Sequence, residues 1–191
     1  VYPASKSLAA FGGMIMNNCG SENSLRYGQM REFVNELSVV LANGHQYNFR
    51  TLNMDELQAK MDQKDFEGEI YRKTFELIDK NYDEIQKARP KTSKNSSGYS
   101  LWNVYNKEEG TFDLAQLFTG SQGTLGIMTD AEVRLVEVKD HKRLVAIFFD
   151  SWYDLPDIVG KGLPIGVQGM ETFDDTTLKL GIRFMPEIAK R

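Results

Sequence analysis

The sequence predicts an α+β chain, and three stretches carry that expectation. A strand-like run from Val34 to Leu41 is followed by Asn43-Gly44 and a second run, Gln46 to Phe49. Asn-Gly between two such runs is the strongest short-range hairpin signal. Residues 53–91 then change period: Met54, Leu57 and Met61 lie three and four apart, and Tyr71, Phe75, Ile78, Tyr82 and Ile85 repeat at 4, 3, 4 and 3, which is one face of a helix. Further on, Ala131 to Val138 alternates apolar with charged residues and reads as a strand, and the apolar run Leu144 to Phe149 reads as a buried strand.

The remaining elements follow in chain order. Residues 1–30 are rich in Gly, Asn and Ser and are punctuated by Gly12, Gly13, Gly20 and Gly28. They read as a string of turns in which backbone comes close to something else. In residues 53–91 the ten acidic and eight basic side chains fall mostly off the apolar stripe, so a solvated helix packs on its own domain through its aromatic stripe. A docking element for another domain or subunit is the alternative. Pro90 ends this helical stretch. Lys94 to Tyr99 is a polar loop, Leu114 to Phe118 a short helical turn, and Gly120 to Ile127 a second glycine loop. Ser151 to Val159 starts a helix, Val167 to Met170 reads as a strand, and Thr172 or Asp174 caps a helix through Leu178 and Leu180. Met185 to Arg191 begins a further helical pattern. With no initiator Met before its first glycine loop, the chain reads as an excised piece of a longer polypeptide.

Composition narrows the class. The chain has 191 residues, 41% apolar and 26% charged, which suits a globular domain plus a fragment of the next and excludes collagen-like or wholly disordered chains. The longest apolar run, Leu144 to Phe149, is too short to span a bilayer. One cysteine, Cys19, makes no internal disulfide and fits a reducing compartment, so a cytoplasmic location is expected. A net charge of −4 argues against nucleic acid or an anionic membrane as main partner.

Catalytic constellations are scarce. His45 and His141 are not spaced for metal ligation and have no cysteine partners; Cys19 has no base nearby in sequence. No catalytic or metal-ligating residue is assigned. The two glycine loops differ from the dinucleotide-binding fingerprint and from the Walker loop, which lacks its Gly-Lys-Ser/Thr here. Poor in charge and interleaved with apolar residues, they suit close backbone approach to a large, flat, partly apolar ligand carrying phosphates. Equally, they serve as tight turns between strands.

Four motifs in order now carry a resemblance. Gly12-Gly13, Asn18, Gly20 and Arg26-Tyr27-Gly28 follow a G-G-x4-N-x-G…[RK]-Y-G pattern; Val39 to Gly44 is similar to VVLADG; Lys94 to Tyr99 is similar to K-N-x-[ST]-G-Y; Phe118 to Thr129 resembles FxGSEGTLGIIT. The family is the FAD-linked oxidases and dehydrogenases of the vanillyl-alcohol oxidase type, and the nearest branch is that of the D-2-hydroxy acids. The resemblance implies that residues 1–140 form the second lobe of a bipartite FAD-binding domain, an antiparallel sheet flanked by helices, with a helical insertion at 53–91. It implies that 141–191 begin a substrate-binding α+β cap domain. FAD would be held by Gly12, Gly13, Asn17, Asn18, Cys19 and Gly20, and by Gln122, Gly123, Thr124, Leu125, Gly126, Ile127 and Met128. Arg26, Tyr27 and Gly28 would be structural, holding the first loop against the hairpin. Gln122 stands where the family usually has Glu. The family's pyrophosphate-gripping P-G-G-G-T-S loop is not found here, so the fragment is expected to be inactive alone and to self-associate, or to be disordered in 14–24. The implied substrate is a small D-2-hydroxy acid; the 53–91 helices would contact an appended domain or subunit. A non-catalytic interaction module, or another enzyme on the same FAD fold, is the competing reading.

Overall fold

A computed structural model describes residues 2–92, 94–137 and 139–187. The hairpin forms as expected: β1 (Val34–Val40) pairs antiparallel with β2 (Gln46–Asn53), with Leu37 opposite Phe49 and Val39 opposite Tyr47. Three residues make the turn. Leu41 N–H donates to the His45 carbonyl at 3.0 Å, and Gly44 takes φ 80°, a conformation that costs glycine nothing. The second strand runs past Phe49 because Thr51, Leu52 and Asn53 find a partner in β4 (Thr111–Asp113). The two-residue β3 (Tyr105–Asn106) pairs with β4, and β5 (Ile127–Val133) with β1. The result is an antiparallel five-stranded sheet in the order β3-β4-β2-β1-β5.

The sheet has one apolar face. Leu37, Val39, Phe49 and Phe112 are fully buried, whereas Asn48 and Arg50 of β2 and Asp130 and Glu132 of β5 are exposed, the alternation of a sheet wetted on one side. The helical excursion covers part of the apolar face. It is three helices rather than one: α3 (Met54–Met61), α4 (Phe66–Lys80) and α5 (Tyr82–Lys87). Asn53 and Glu56 close a capping box on α3, and the Asp65 side chain restarts the chain as α4 by accepting from Gly68 N–H at 2.9 Å. The aromatic stripe packs on its own domain. Tyr71 lies 6.2 Å from Phe49 and 6.4 Å from Phe112, and Phe75 meets Tyr105 and Phe112 at 5.4 and 5.8 Å. Such pairs contribute about 0.5–1.5 kcal/mol each beyond the area they bury.

Elsewhere the structure departs from the pattern. Gly12 and Gly13 sit in a helix, α1 (Phe11–Met16), because Ile15 is driven into the core and outweighs glycine's poor helix propensity. A second short helix, α2 (Ser24–Tyr27), follows, so residues 14–24 are helix and turn. Arg26 does not reach the hairpin; its guanidinium donates to the Gly166 carbonyl at 3.2 Å. The strand expected at 131–138 lies earlier, at Ile127–Val133, since β1 begins at Val34 and past it Arg134 N–H reaches the carbonyl of Phe33, in the turn before β1, at 2.8 Å; Val138 is outside the described residues. Leu144 to Phe149 form no strand: no neighbour among the described residues pairs with them, and Leu144 and Phe148 are 96% and 95% exposed. Val167 to Met170 form no strand either, and Gln168 instead donates to Asn23 Oδ1 at 2.8 Å. After α6 (Ala115–Phe118), α7 (Leu155–Gly162) confirms the helix expected near 151–159. Asp174, not Thr172, caps α8 (Asp175–Phe184). The pattern expected at Met185 to Arg191 falls largely outside the described residues.

One core group generates a test. The Tyr71 hydroxyl is buried with no hydrogen-bond partner among the described residues, and burial pushes its ionisation up. Tyr71→Phe removes an unsatisfied polar atom and keeps the ring, so stability is expected to hold or rise by about 1 kcal/mol. Urea unfolding of the two chains checks this, and a loss above that size would show a hydroxyl partner.

Candidate functional site

The first glycine loop turns on Asn18. After α1 the chain reverses through this residue at φ 49°, a left-handed conformation that asparagine tolerates better than most side chains. Asn18 is completely buried. Its Oδ1 accepts from Arg31 N–H at 2.9 Å, its Nδ2 donates to the Asn95 carbonyl at 3.3 Å, and its own carbonyl accepts from Gln29 Nε2 at 3.0 Å and from the Ser96 hydroxyl at 3.3 Å. Gln29 completes the knot: its Oε1 accepts from Asn95 N–H at 2.8 Å and its Nε2 also donates to Ser96 Oγ at 2.9 Å. The Lys94 to Tyr99 loop is thereby fastened to the Gly12 to Gly20 loop.

The second glycine loop is bound to the same place. Gly120 and Gln122 N–H donate to the Ile15 and Met16 carbonyls at 3.2 and 2.8 Å, satisfying acceptors that the end of α1 leaves open. Three of its residues, Gly120, Gln122 and Gly123, have positive φ. Its base is set by α6. The Asp113 carboxylate accepts from Ala115 N–H at 2.8 Å and from Thr51 Oγ1 at 3.0 Å. At the other end the buried Arg31 guanidinium donates to the Gln116 and Thr119 carbonyls, placing a cation on the negative end of the helix. Burial lowers Arg31 from its ordinary value. Tyr99 hydroxyl and Thr124 Oγ1, 2.8 Å apart, tie the third loop to the second.

The residues expected at the site divide into two groups. Gly13, Asn17, Gln122, Gly123, Thr124 and Ile127 are exposed, Ile127 at 70%. A side chain built at Gly13 or Gly123 would meet nothing. Asn18 and Cys19 point inward, and burial pushes the Cys19 thiol up, which leaves it protonated. Gly126 is glycine for a packing reason: a Cβ there would stand 2.5 Å from Val39 Cγ1 and 2.9 Å from the Val40 carbonyl. Gly12 abuts Met128, Gly20 abuts Ser24 and Lys94, and Leu125 is half-buried. Gln29, Arg31 and Ser121 were not foreseen. The only signal for the Lys94 loop was its own motif.

These loops suit a flavin nucleotide. Open glycine backbone at Gly13 in α1 and at Gly123 in the second loop lies near exposed apolar side chains, Phe11 of α1 and Ile127 at the start of β5, and the buried Ser121 Oγ has no partner among the described residues. Backbone amides, one free hydroxyl and apolar surface match a large planar ligand with polar edges. Two concavities lie instead at the helical excursion, one lined by Gln86, Lys87, Arg89, Pro90 and Lys91 and one by Asp79 to Glu84 with Lys107; their charged rims suit no flat apolar ring. Among the described residues no cluster of three or more His, Cys, Asp or Glu could hold a metal, and no helix is long and apolar enough to cross a membrane.

Two outcomes follow. Asn18→Ala strands the Arg31 N–H and the Asn95 carbonyl, so it is expected to destabilise the chain by about 2–4 kcal/mol, and Asn18→Gly, which relieves only the backbone, recovers little of it; full recovery by glycine in urea unfolding would reduce the knot to a φ preference. Asp113 supplies a pH dependence. Burial pushes its carboxyl up, so the folded chain holds that proton more tightly than the unfolded one. Its stabilisation is therefore present below the ordinary carboxylate range and lost as pH rises through the raised value. The stability of wild type relative to Asp113→Asn should fall across that window, and a flat difference in unfolding midpoints against pH would contradict it.

Residues 1–50 match the family model described as "FAD binding domain". The chain is 28% identical over 180 residues to a D-2-hydroxyglutarate dehydrogenase of Haemophilus influenzae, covering 90% of this chain and 17% of that protein. It is 29% identical over 167 residues to a D-lactate dehydrogenase of Archaeoglobus fulgidus (85% and 26%) and 28% identical over 149 residues to the glycolate oxidase subunit GlcD of Bacillus subtilis (78% and 21%). The chain thus spans 17% to 26% of the length of these relatives. The matched region contains the Asn18 loop and most of the hairpin behind it, so the chain is similar to FAD-linked oxidases and dehydrogenases, and the domain match indicates FAD as the cofactor.

Proposed function

We propose that the chain supplies one part of the FAD site of an oxidoreductase acting on a small D-2-hydroxy acid. The observation that carries this reading is the joining of three loops at Asn18, inside the region matched by an FAD-binding family. When bound, FAD accepts the hydride released as the hydroxy acid is oxidised. The chain's own residues position it. Backbone at Gly13, Asn17, Gln122, Gly123 and Thr124 lines the open face, Ile127 offers apolar contact to a ring, and Ser121 Oγ is available to a polar edge. Asn18, Cys19 and Gly126 act from behind, holding those backbones in place. Residues 1–140 are read as the second lobe of the FAD-binding domain and 141–191 as the start of a cap domain; the exposed Phe148, Leu178 and Phe184 support a segment that packs on further chain. A fragment of this kind would not turn over substrate alone.

The competing reading is a non-catalytic module whose charged helices are its working surface. The aromatic stripe of α4 is already buried against the sheet, so those helices offer a partner a mainly charged surface with scattered apolar residues such as Leu77, which favours the flavin reading. Equilibrium titration of the chain with FAD, followed by flavin fluorescence, separates them. Gly13 sits in α1 with open space around it, so Gly13→Leu should leave stability unchanged or raise it by up to about 1 kcal/mol while lowering FAD affinity. Unchanged affinity would remove α1 from the site.

A further inference from the structure

Resting on the flavin reading, we propose that Lys94 is a cofactor contact whose ammonium receives the diphosphate of FAD at the rim of the Cys19–Gly20 turn. The loop carrying it is fixed from the next residue onward. Asn95 is held through both its N–H and its carbonyl, by Gln29 Oε1 and Asn18 Nδ2, and Ser96 is held by Gln29 and the Asn18 carbonyl. The Lys94 stem then lies over Gly20: a Cβ built on that glycine would stand 3.0 Å from Lys94 Cε. Lys94's charge also reaches the Cys19 thiol, on which it acts to lower the ionisation that burial raises.

The other cations near these loops are engaged elsewhere. Arg31 is buried on the carbonyls that follow α6, and Arg26 points to the Gly166 carbonyl beside the Tyr27 ring. Among the described residues Lys94 forms no ion pair and its side chain is exposed. An uncompensated ammonium, anchored by its backbone beside two loops of neutral glycine turns, suits a ligand with fixed negative charge. In oxidised FAD that charge resides on the diphosphate. Lysine acts there as a point charge with three donors, without the planar fork that a bidentate arginine would need.

The test compares wild type, Lys94→Met and Lys94→Arg in the intact protein stripped of flavin and titrated with FAD at low and high ionic strength. Methionine keeps the aliphatic stem over Gly20, so matching thermal melts are expected. Lys94→Met should weaken FAD binding about tenfold at low salt, the difference should shrink as salt screens the charge, and Lys94→Arg should restore most of it. Unchanged affinity in Lys94→Met, or a loss equal at both salt concentrations and not rescued by arginine, would overturn the assignment while leaving the flavin site standing. A wild-type protein that binds no FAD would overturn both.

Discussion

A buried asparagine in a left-handed turn holds this fold's open face together. Asn18 contributes a donor, an acceptor and a backbone carbonyl, and each meets a different part of the chain: Asn95, Arg31, and Gln29 with Ser96. A buried polar group left without partners costs on the order of 1–3 kcal/mol, so each member of such a network depends on the others being in place. Glycine alone would provide the turn, and a buried apolar residue would fill the space, but neither would fix where the neighbouring loops sit. The rigidity of the glycine loops therefore comes from a side chain that itself faces away from solvent.

The sheet gives that arrangement its floor. Val39 lies under Gly126 closely enough that no Cβ fits between them, and β5 leaves the second loop directly along β1. Arg31 links the two halves again from below, its N–H on Asn18 and its guanidinium on the carbonyls of Gln116 and Thr119. On the opposite face Asn48, Arg50, Asp130 and Glu132 are exposed to solvent. The open face of these loops is thus mostly main chain, with Lys94 at its rim, a surface suited to a cofactor whose own ring performs the redox step.

The sequence made parts of this readable and hid others for physical reasons. Asn43-Gly44 announced the hairpin because few dipeptides accept that turn, and the 3-4 spacing of Tyr71, Phe75 and Ile78 announced a helix with a buried side. Gly120 to Ile127 was legible as a loop with unusual backbone. What periodicity cannot carry is direction and pairing. Asn18 reads like a ligand contact because a polar residue between glycines looks the same whether it faces out or in. Strands β3 and β4 are two and three residues long, below any repeat, and exist only because β2 extends to meet them. The alternation at 131–138 was real, yet the strand ends at Val133 because its partner does. Leu144 to Phe149 has the composition of a strand and lacks a neighbour to pair with among the described residues.

The knot joins residues 77 and 78 positions apart, Asn18 with Asn95 and Ser96. Closing a flexible loop of that length would cost about 4 kcal/mol in chain entropy alone. Most of the intervening chain is not flexible, because the hairpin and the helices α3, α4 and α5 form through contacts close in sequence. Once they are in place, the ends that must meet are already near each other. The helical excursion between the hairpin and the Lys94 loop could accordingly lengthen at little entropic expense.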